Sequence, residues 1–236
     1  MIRPDNCKKI CIATPAYGNS VTTQYLHSLA LTVKAFTQLG VECNLITVDN
    51  DALIERARNQ CVEEFRRMNA DYLVFIDADI GWEASDLLIL LASGKDCSGI
   101  PYPAKTKERK FVCNIINSNP FIICPETGFI KADHIGTGMM VLSKNMIDKM
   151  WEVHLREGKW YKDWNTKEPT AKLFEVALSQ DNNIWSEDYT FCQKWTNIGG
   201  EIWVYPNAWI KHYGGKTWVD CMANGEINDE KKDDLC

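Results

Sequence analysis

Apolar and polar positions along residues 1–103 switch repeatedly between the period of a strand and the period of a helix. Residues 9–16 read as a first strand, followed by a helical pattern over 22–39 that Gly40 stops. A second strand is predicted over 41–48 and a second helix over 52–68. Tyr72 to Ile76 is apolar at every position, the pattern of a short strand buried on both faces. A helix near 84–92 and a strand over 97–100 follow. Strand–helix alternation of this kind specifies right-handed crossovers. The fold class is therefore α/β, with an open, mostly parallel central sheet flanked by helices.

From Pro101 the regularity weakens. Residues 105–110 form a charged loop, with short apolar runs at 111–116 and 121–123. Gly136-Thr137-Gly138 precedes a strand-like run over 139–142, and a helix is predicted over 144–156. Another helix starts after Ser186, a suitable N-cap. The chain reads as one domain over 1–219, with a first half to about 103 and a smaller mixed region over 104–219, then a polar acidic tail over 220–236.

Charge narrows the function classes. The chain has 26 Lys and Arg against 32 Asp and Glu, a net −6, so it carries no basic field for nucleic acid. No stretch approaches the roughly 20 apolar residues that span a bilayer, and residues 1–6 lack the apolar core of a signal peptide. The ten cysteines, Cys11, Cys43, Cys61 and Cys192 among them, are scattered through predicted strands and helices without a C-x-x-C pair. They read as reduced thiols of a cytoplasmic protein, and the four dispersed histidines offer no zinc cluster.

Several polar clusters carry candidate chemistry. Asp77 and Asp79 close the third strand one residue apart, at the sheet edge where open α/β folds bind ligands. Two hard oxygen donors there suit Mg²⁺ or Mn²⁺ bridging to phosphates, although a D-x-D also simply ends a buried strand. On the second helix, Leu53, Ile54, Ala57, Cys61, Val62, Phe65 and Met68 share one apolar stripe at about 100° per residue, with Arg58 inside it. A core-facing arginine needs an anionic partner, and Asp77 is the nearest candidate; the other reading is an arginine snorkelling to water. Its replacement by Leu is expected to weaken diphosphate affinity with little loss of fold. Asp188 heads an inward row with Phe191, Cys192 and Trp195, which makes it a candidate general base. Glu187 faces elsewhere and reads as an ordinary partner of the helix dipole. His212, followed by Gly214-Gly215, is placed to complete a site begun by Asp79, and the glycine pair lets backbone pass close to a diphosphate. Polar turns at Thr14-Pro15-Ala16-Tyr17 and Asp49-Asn50-Asp51 close the first two strands on the same edge. Trp151, Trp160, Tyr161, Trp164 and Trp185 form an aromatic-rich region suited to stacking on sugars, with core packing as the default for each alone.

Taken in order, the 13–17 opening, Asp77-Ala78-Asp79, Gly136-Thr137-Gly138, Glu187-Asp188 and His212 resemble the GT-A fold glycosyltransferases. The match runs from Lys9 to about Gly215 and is similar to compact enzymes of large DNA viruses and phages, including the chlorella-virus glycosyltransferases. The resemblance implies a nucleotide-sugar half over 1–103 and an acceptor half over 104–219. It implies Asp79 and His212 at a Mn²⁺ or Mg²⁺ ion, with Asp77 at the ribose or in the metal's water shell. Thr14, Pro15, Tyr17 and Asp49 would surround the base, most often uracil, with Arg58, Asp77, Ala78, Asp79 and Gly138 along the rest of the donor. Asp188 would act as base in an inverting reaction, or orient the acceptor in a retaining one. Trp160, Trp164, Trp185 and Glu187 would face a glycan or protein acceptor. The sequence departs from the commonest pattern at 49–51, where many relatives carry Ser-x-Asp. Two other readings stay open, a nucleotidyltransferase and a non-catalytic nucleotide- or glycan-binding module. The first normally needs a basic phosphate loop near strand one, and residues 13–20 hold no Lys or Arg.

Overall fold

A computed structural model describes residues 7–116, 118, 120–163, 166–178 and 181–223. In chain order these form β1 (Lys9–Ala16), α1 (Thr23–Gln38), β2 (Glu42–Asp49), α2 (Ile54–Met68), β3 (Tyr72–Ile76), β4 (Ile80–Gly81), α3 (Ala84–Ala92) and β5 (Cys97–Gly99). Then come β6 (Cys113–Ile115), β7 (Ile130–Ile135), β8 (Met139–Ser143), α4 (Lys144–Arg156), β9 (Trp160–Lys162) and β10 (Pro169–Ala171). The last are β11 (Ala177–Leu178), β12 (Ile184–Trp185), α5 (Glu187–Asn197), β13 (Ile202–Val204), β14 (Trp209–Gly214) and β15 (Lys216–Cys221). The expected α/β class is observed.

The central sheet has eight strands in the order β2-β1-β3-β8-β5-β13-β7-β6. β1 pairs in parallel with β2 and β3, and β13 with β5. β8 runs antiparallel between β3 and β5, so β2, β1, β3, β5 and β13 share one direction. β7 is antiparallel to β13 and β6, which makes the outer part mixed.

Side chains alternate across the strands and build two cores. Cys11, Ala13, Leu73, Phe75, Met140 and Leu142 face α2, α4 and α5, where Phe65, Met150 and Phe191 cover them. Ile10, Ile12, Val74, Ile76, Met139 and Val141 face α1 and α3, under Phe36, Leu87 and Leu91. β3 is therefore buried on both faces, as its sequence requires. The Thr22 and Ser143 hydroxyls cap α1 and α4 by accepting from Tyr25 N at 3.2 Å and Met146 N at 3.0 Å. Gly40, at φ +74°, ends α1 in the left-handed region that a side chain disfavours.

In the apolar run 121–123 only Ile123 makes a bridge, an isolated one to Ile130, and Phe121 to Ile123 are exposed. One expectation changes. The tail does not begin at 220, because Asp220 and Cys221 complete β15 and Asp220 accepts from Arg109 Nε at 2.9 Å. Residues 224–236 lie outside the described residues. Trp151 is buried in the core beneath Arg66, the packing expected by default for each tryptophan alone. No disulfide links the nine described cysteines, and no described helix is long and apolar enough to cross a membrane.

Candidate functional site

At the carboxyl ends of β1 and β3 the sheet edge opens into a cleft of about 510 Å³, within the usual range of small-molecule pockets. Pro15, Tyr17, Arg58, Asp77, Ala78 and Asp79 line it, together with Ser20, Val21, Thr22 and Ile54. Most of the residues expected along a donor thus converge from three separate segments. Backbone bonds set their spacing: Thr22 N donates to Ala78 O at 2.9 Å, and Asp77 N to Gly138 O at 3.2 Å.

Arg58 organises the floor. It is 4% exposed on the buried stripe of α2, its Nη2 donating to Asp77 Oδ1 and its Nε to Glu187 Oε1, both at 3.0 Å. Burial opposes its charge, but the two carboxylates outweigh burial and raise its pKa. Nη1 is buried without a hydrogen-bond partner, an orphan donor beside the cleft that suits an anion. The expected Asp77 partnership is present and the snorkelling alternative is not. Glu187 is a correction: it is buried on Arg58 rather than facing an acceptor. The mild expectation for Arg58→Leu also changes, because that substitution strands two carboxylates. We expect it to cost about 3–5 kcal/mol in urea unfolding; a loss below about 1 kcal/mol would show the network to be unimportant for folding.

Asp79 meets His212 because β4, directly after the D-x-D, pairs with β14. His212 lies opposite Ile80, and Tyr213 N donates to Asp79 O at 2.9 Å. His212 Nδ1 donates to Pro103 O at 2.7 Å, which leaves the lone pair on Nε2, 3.7 Å from Asp79 Oδ1. Burial lowers the His212 pKa, with the Pro103 bond and Asp79 opposing. An imidazole oriented by a carbonyl behind it is the arrangement of a metal ligand. Among the described residues no group of three His, Cys, Asp or Glu is gathered to hold an ion. Asp77 gives its Oδ1 to Arg58. Asp79 and His212 are the two side chains at this edge whose donor types could hold Mn²⁺ or Mg²⁺. Lys105, from the charged loop, sets its ammonium against Asp79 Oδ2. Its loop position follows no periodicity, so nothing in the sequence singled it out.

Asp188 is buried at the first turn of α5, as its inward row requires. Its Oδ1 accepts from the Ser186 hydroxyl and from Tyr189 N, the latter at 2.8 Å. Burial first, and Glu187 second, raise its pKa, with Ser186 and Arg58 pulling it down.

Other expected donor residues serve the scaffold. Thr14 is buried, its hydroxyl bonded to Ile76 O at 2.8 Å and to the Tyr25 hydroxyl at 2.6 Å, so it ties β1 to β3 instead of lining the cleft. Gly138 lies under Tyr102, where an added Cβ would stand 2.5 Å from the ring, and Gly136 is as close. The two glycines thus admit Tyr102, whose ring meets His212 edge-on at 5.2 Å. Asp49 stands opposite Ala16 on the same sheet edge, outside the cleft lining. Gly215 forms the β14–β15 turn at φ +67°. Trp185 precedes α5 and packs edge-on against His134 at 5.4 Å. Trp160 is half exposed on β9, away from the lining of this cleft. Trp164 lies outside the described residues.

No protein-family model matches the sequence, and no curated protein matches it. Solved structures with a similar course of chain do exist. A197 from STIV aligns at 14% identity over 93% of this chain and 99% of that one, with a TM-score of 0.55. GalNAc-T7, solved with UDP, GalNAc and Mn²⁺, aligns at 9% identity over 88% of this chain, with a TM-score of 0.49. This chain spans 44% of that protein's length. The inositol-1-phosphate CTP transferase from T. maritima aligns at 10% identity over 95% of this chain and 93% of that one, with a TM-score of 0.46. The likeness to A197 shows a common fold; the other two are looser resemblances.

Proposed function

We propose that the chain is a metal-dependent glycosyltransferase moving a sugar from a nucleotide-diphosphate donor, UDP-sugar by preference, to a hydroxyl of a glycan or protein. The observation that carries this reading is the meeting, at one sheet edge, of the Asp79–His212 pair with the orphan Nη1 of Arg58. Asp79 and His212 would hold a Mn²⁺ or Mg²⁺ ion, which would supply Lewis-acid neutralisation of the leaving diphosphate. Arg58 Nη1 donates to a diphosphate oxygen while its other nitrogens hold Asp77 and Glu187 in place. Tyr17, 74% exposed at the cleft, offers a face for the base. Asp188 accepts the proton of the acceptor hydroxyl as that oxygen attacks the anomeric carbon.

A thermal-shift screen of nucleotide sugars with and without Mn²⁺ tests the reading. A rise in melting temperature with a UDP-sugar, larger when Mn²⁺ is present, is the expected result. No rise with any nucleotide sugar would remove it.

One observation favours a second reading. Residues 13–20 lack a basic group, yet tertiary structure brings Arg58 and Lys105 to Asp77 and Asp79. A nucleotidyltransferase acting on a sugar 1-phosphate uses such cations. Release of pyrophosphate from a nucleoside triphosphate and a sugar phosphate would mark that activity. Release of a nucleoside diphosphate from the sugar donor marks transfer, and a binding module gives neither.

A further inference from the structure

We infer that Lys105 is a built-in counter-ion of Asp79, which a divalent cation must displace and which then binds the donor's diphosphate. The inference rests on the reading of Asp79 and His212 as metal ligands. Asp79 is faced from two sides: the Lys105 ammonium contacts Oδ2, while His212 Nε2 stands 3.7 Å from Oδ1. The ammonium supplies positive charge on the other oxygen of the same group.

Lys105 is held there by construction. Ala104 N donates to Lys110 O at 2.7 Å, closing loop 104–110 on itself, and Pro103 bridges to Phe111. The β14–β15 hairpin anchors the loop's outer side. Trp218 Nε1 donates to Thr106 O at 3.1 Å, and Arg109 Nε to Asp220 Oδ2 at 2.9 Å. Gly214 leaves room for the lysine stem, since an added Cβ would come within 2.9 Å of Lys105 Cε and Nζ.

A monovalent and a divalent cation repel when they share one carboxylate, so metal binding releases the ammonium. The tethered loop keeps the freed lysine beside the cleft, where a diphosphate is a new anionic partner. Metal and diphosphate then favour each other's binding, and the coupling is reciprocal.

Calorimetry on the full chain tests this with Mn²⁺ alone, and with pyrophosphate at saturating Mn²⁺, for the parent, Lys105→Gln and Gly214→Ala. Lys105→Gln is expected to bind Mn²⁺ alone about tenfold more tightly and pyrophosphate about tenfold more weakly, a coupling of ordinary size. Gly214→Ala, which displaces the stem but keeps the charge, is expected to tighten Mn²⁺ binding while retaining most pyrophosphate affinity. Lys105 is one-third exposed, and melting curves of both variants confirm that they fold. Equal Mn²⁺ affinity in the parent and Lys105→Gln, or unchanged pyrophosphate affinity, overturns the inference alone. Absence of Mn²⁺ binding in all three proteins overturns the metal reading and this inference together.

Discussion

Asp188→Asn is expected to bind a nucleotide diphosphate as the parent does and to transfer sugar about 10²–10⁴ times more slowly. The substitution keeps the shape and the ability to accept from Ser186 and Tyr189 N, so α5 keeps its first turn. It removes the basic oxygen. The pH profile is the sharper readout, because burial and Glu187 hold the Asp188 carboxyl above the ordinary value near 3.8. A base works deprotonated, so the rate is full above the raised pKa and falls as pH drops through it. That acidic limb lies at a higher pH in the parent than a free aspartate would give and disappears in the Asn variant. Equal transfer by the two proteins would mean that the proton leaves by another route.

Asp79→Ala should abolish the Mn²⁺-dependent part of nucleotide diphosphate binding, a loss of more than about 100-fold by calorimetry, since even outer-shell partners of metal ligands cost 10- to 100-fold. The loss comes from the ion, because His212 is left as a single protein ligand. Metal-free binding should persist, because Arg58 and the loop after β1 still line the cleft. This separates Asp79 from Arg58, whose loss undermines the fold itself. An Ala variant with undiminished Mn²⁺ dependence would place the ion elsewhere.

Much of the scaffold was legible along the chain. The limits of β1, α3 and α4 coincide with the periodic segments, and the apolar run 72–76 is the doubly buried strand it reads as. Arg58 was legible too, because a charge inside an apolar stripe demands a partner and Asp77 answers. Glu187 was not. A carboxylate at a helix start has an ordinary explanation in the dipole, and its ion pair lies 129 residues away on α2. Thr14 and Gly138 were assigned to the ligand because they border strand ends. Only packing reveals that the Thr14 hydroxyl is used between β1 and β3, and that Gly138 yields space to Tyr102.

By itself the sequence determined the α/β alternation, the doubly apolar strand that ends in Asp77, and the inward faces of α2 and α5. Those features follow from periodicity, which reports the face a residue takes within its own element. Tertiary structure alone decided that β4 pairs with β14 and so sets His212 beside Asp79, that Glu187 shares Arg58 with Asp77, and that Lys105 reaches Asp79. The physical reason is that sheet order and register choose partners among segments far apart in the chain, and no local period encodes that choice.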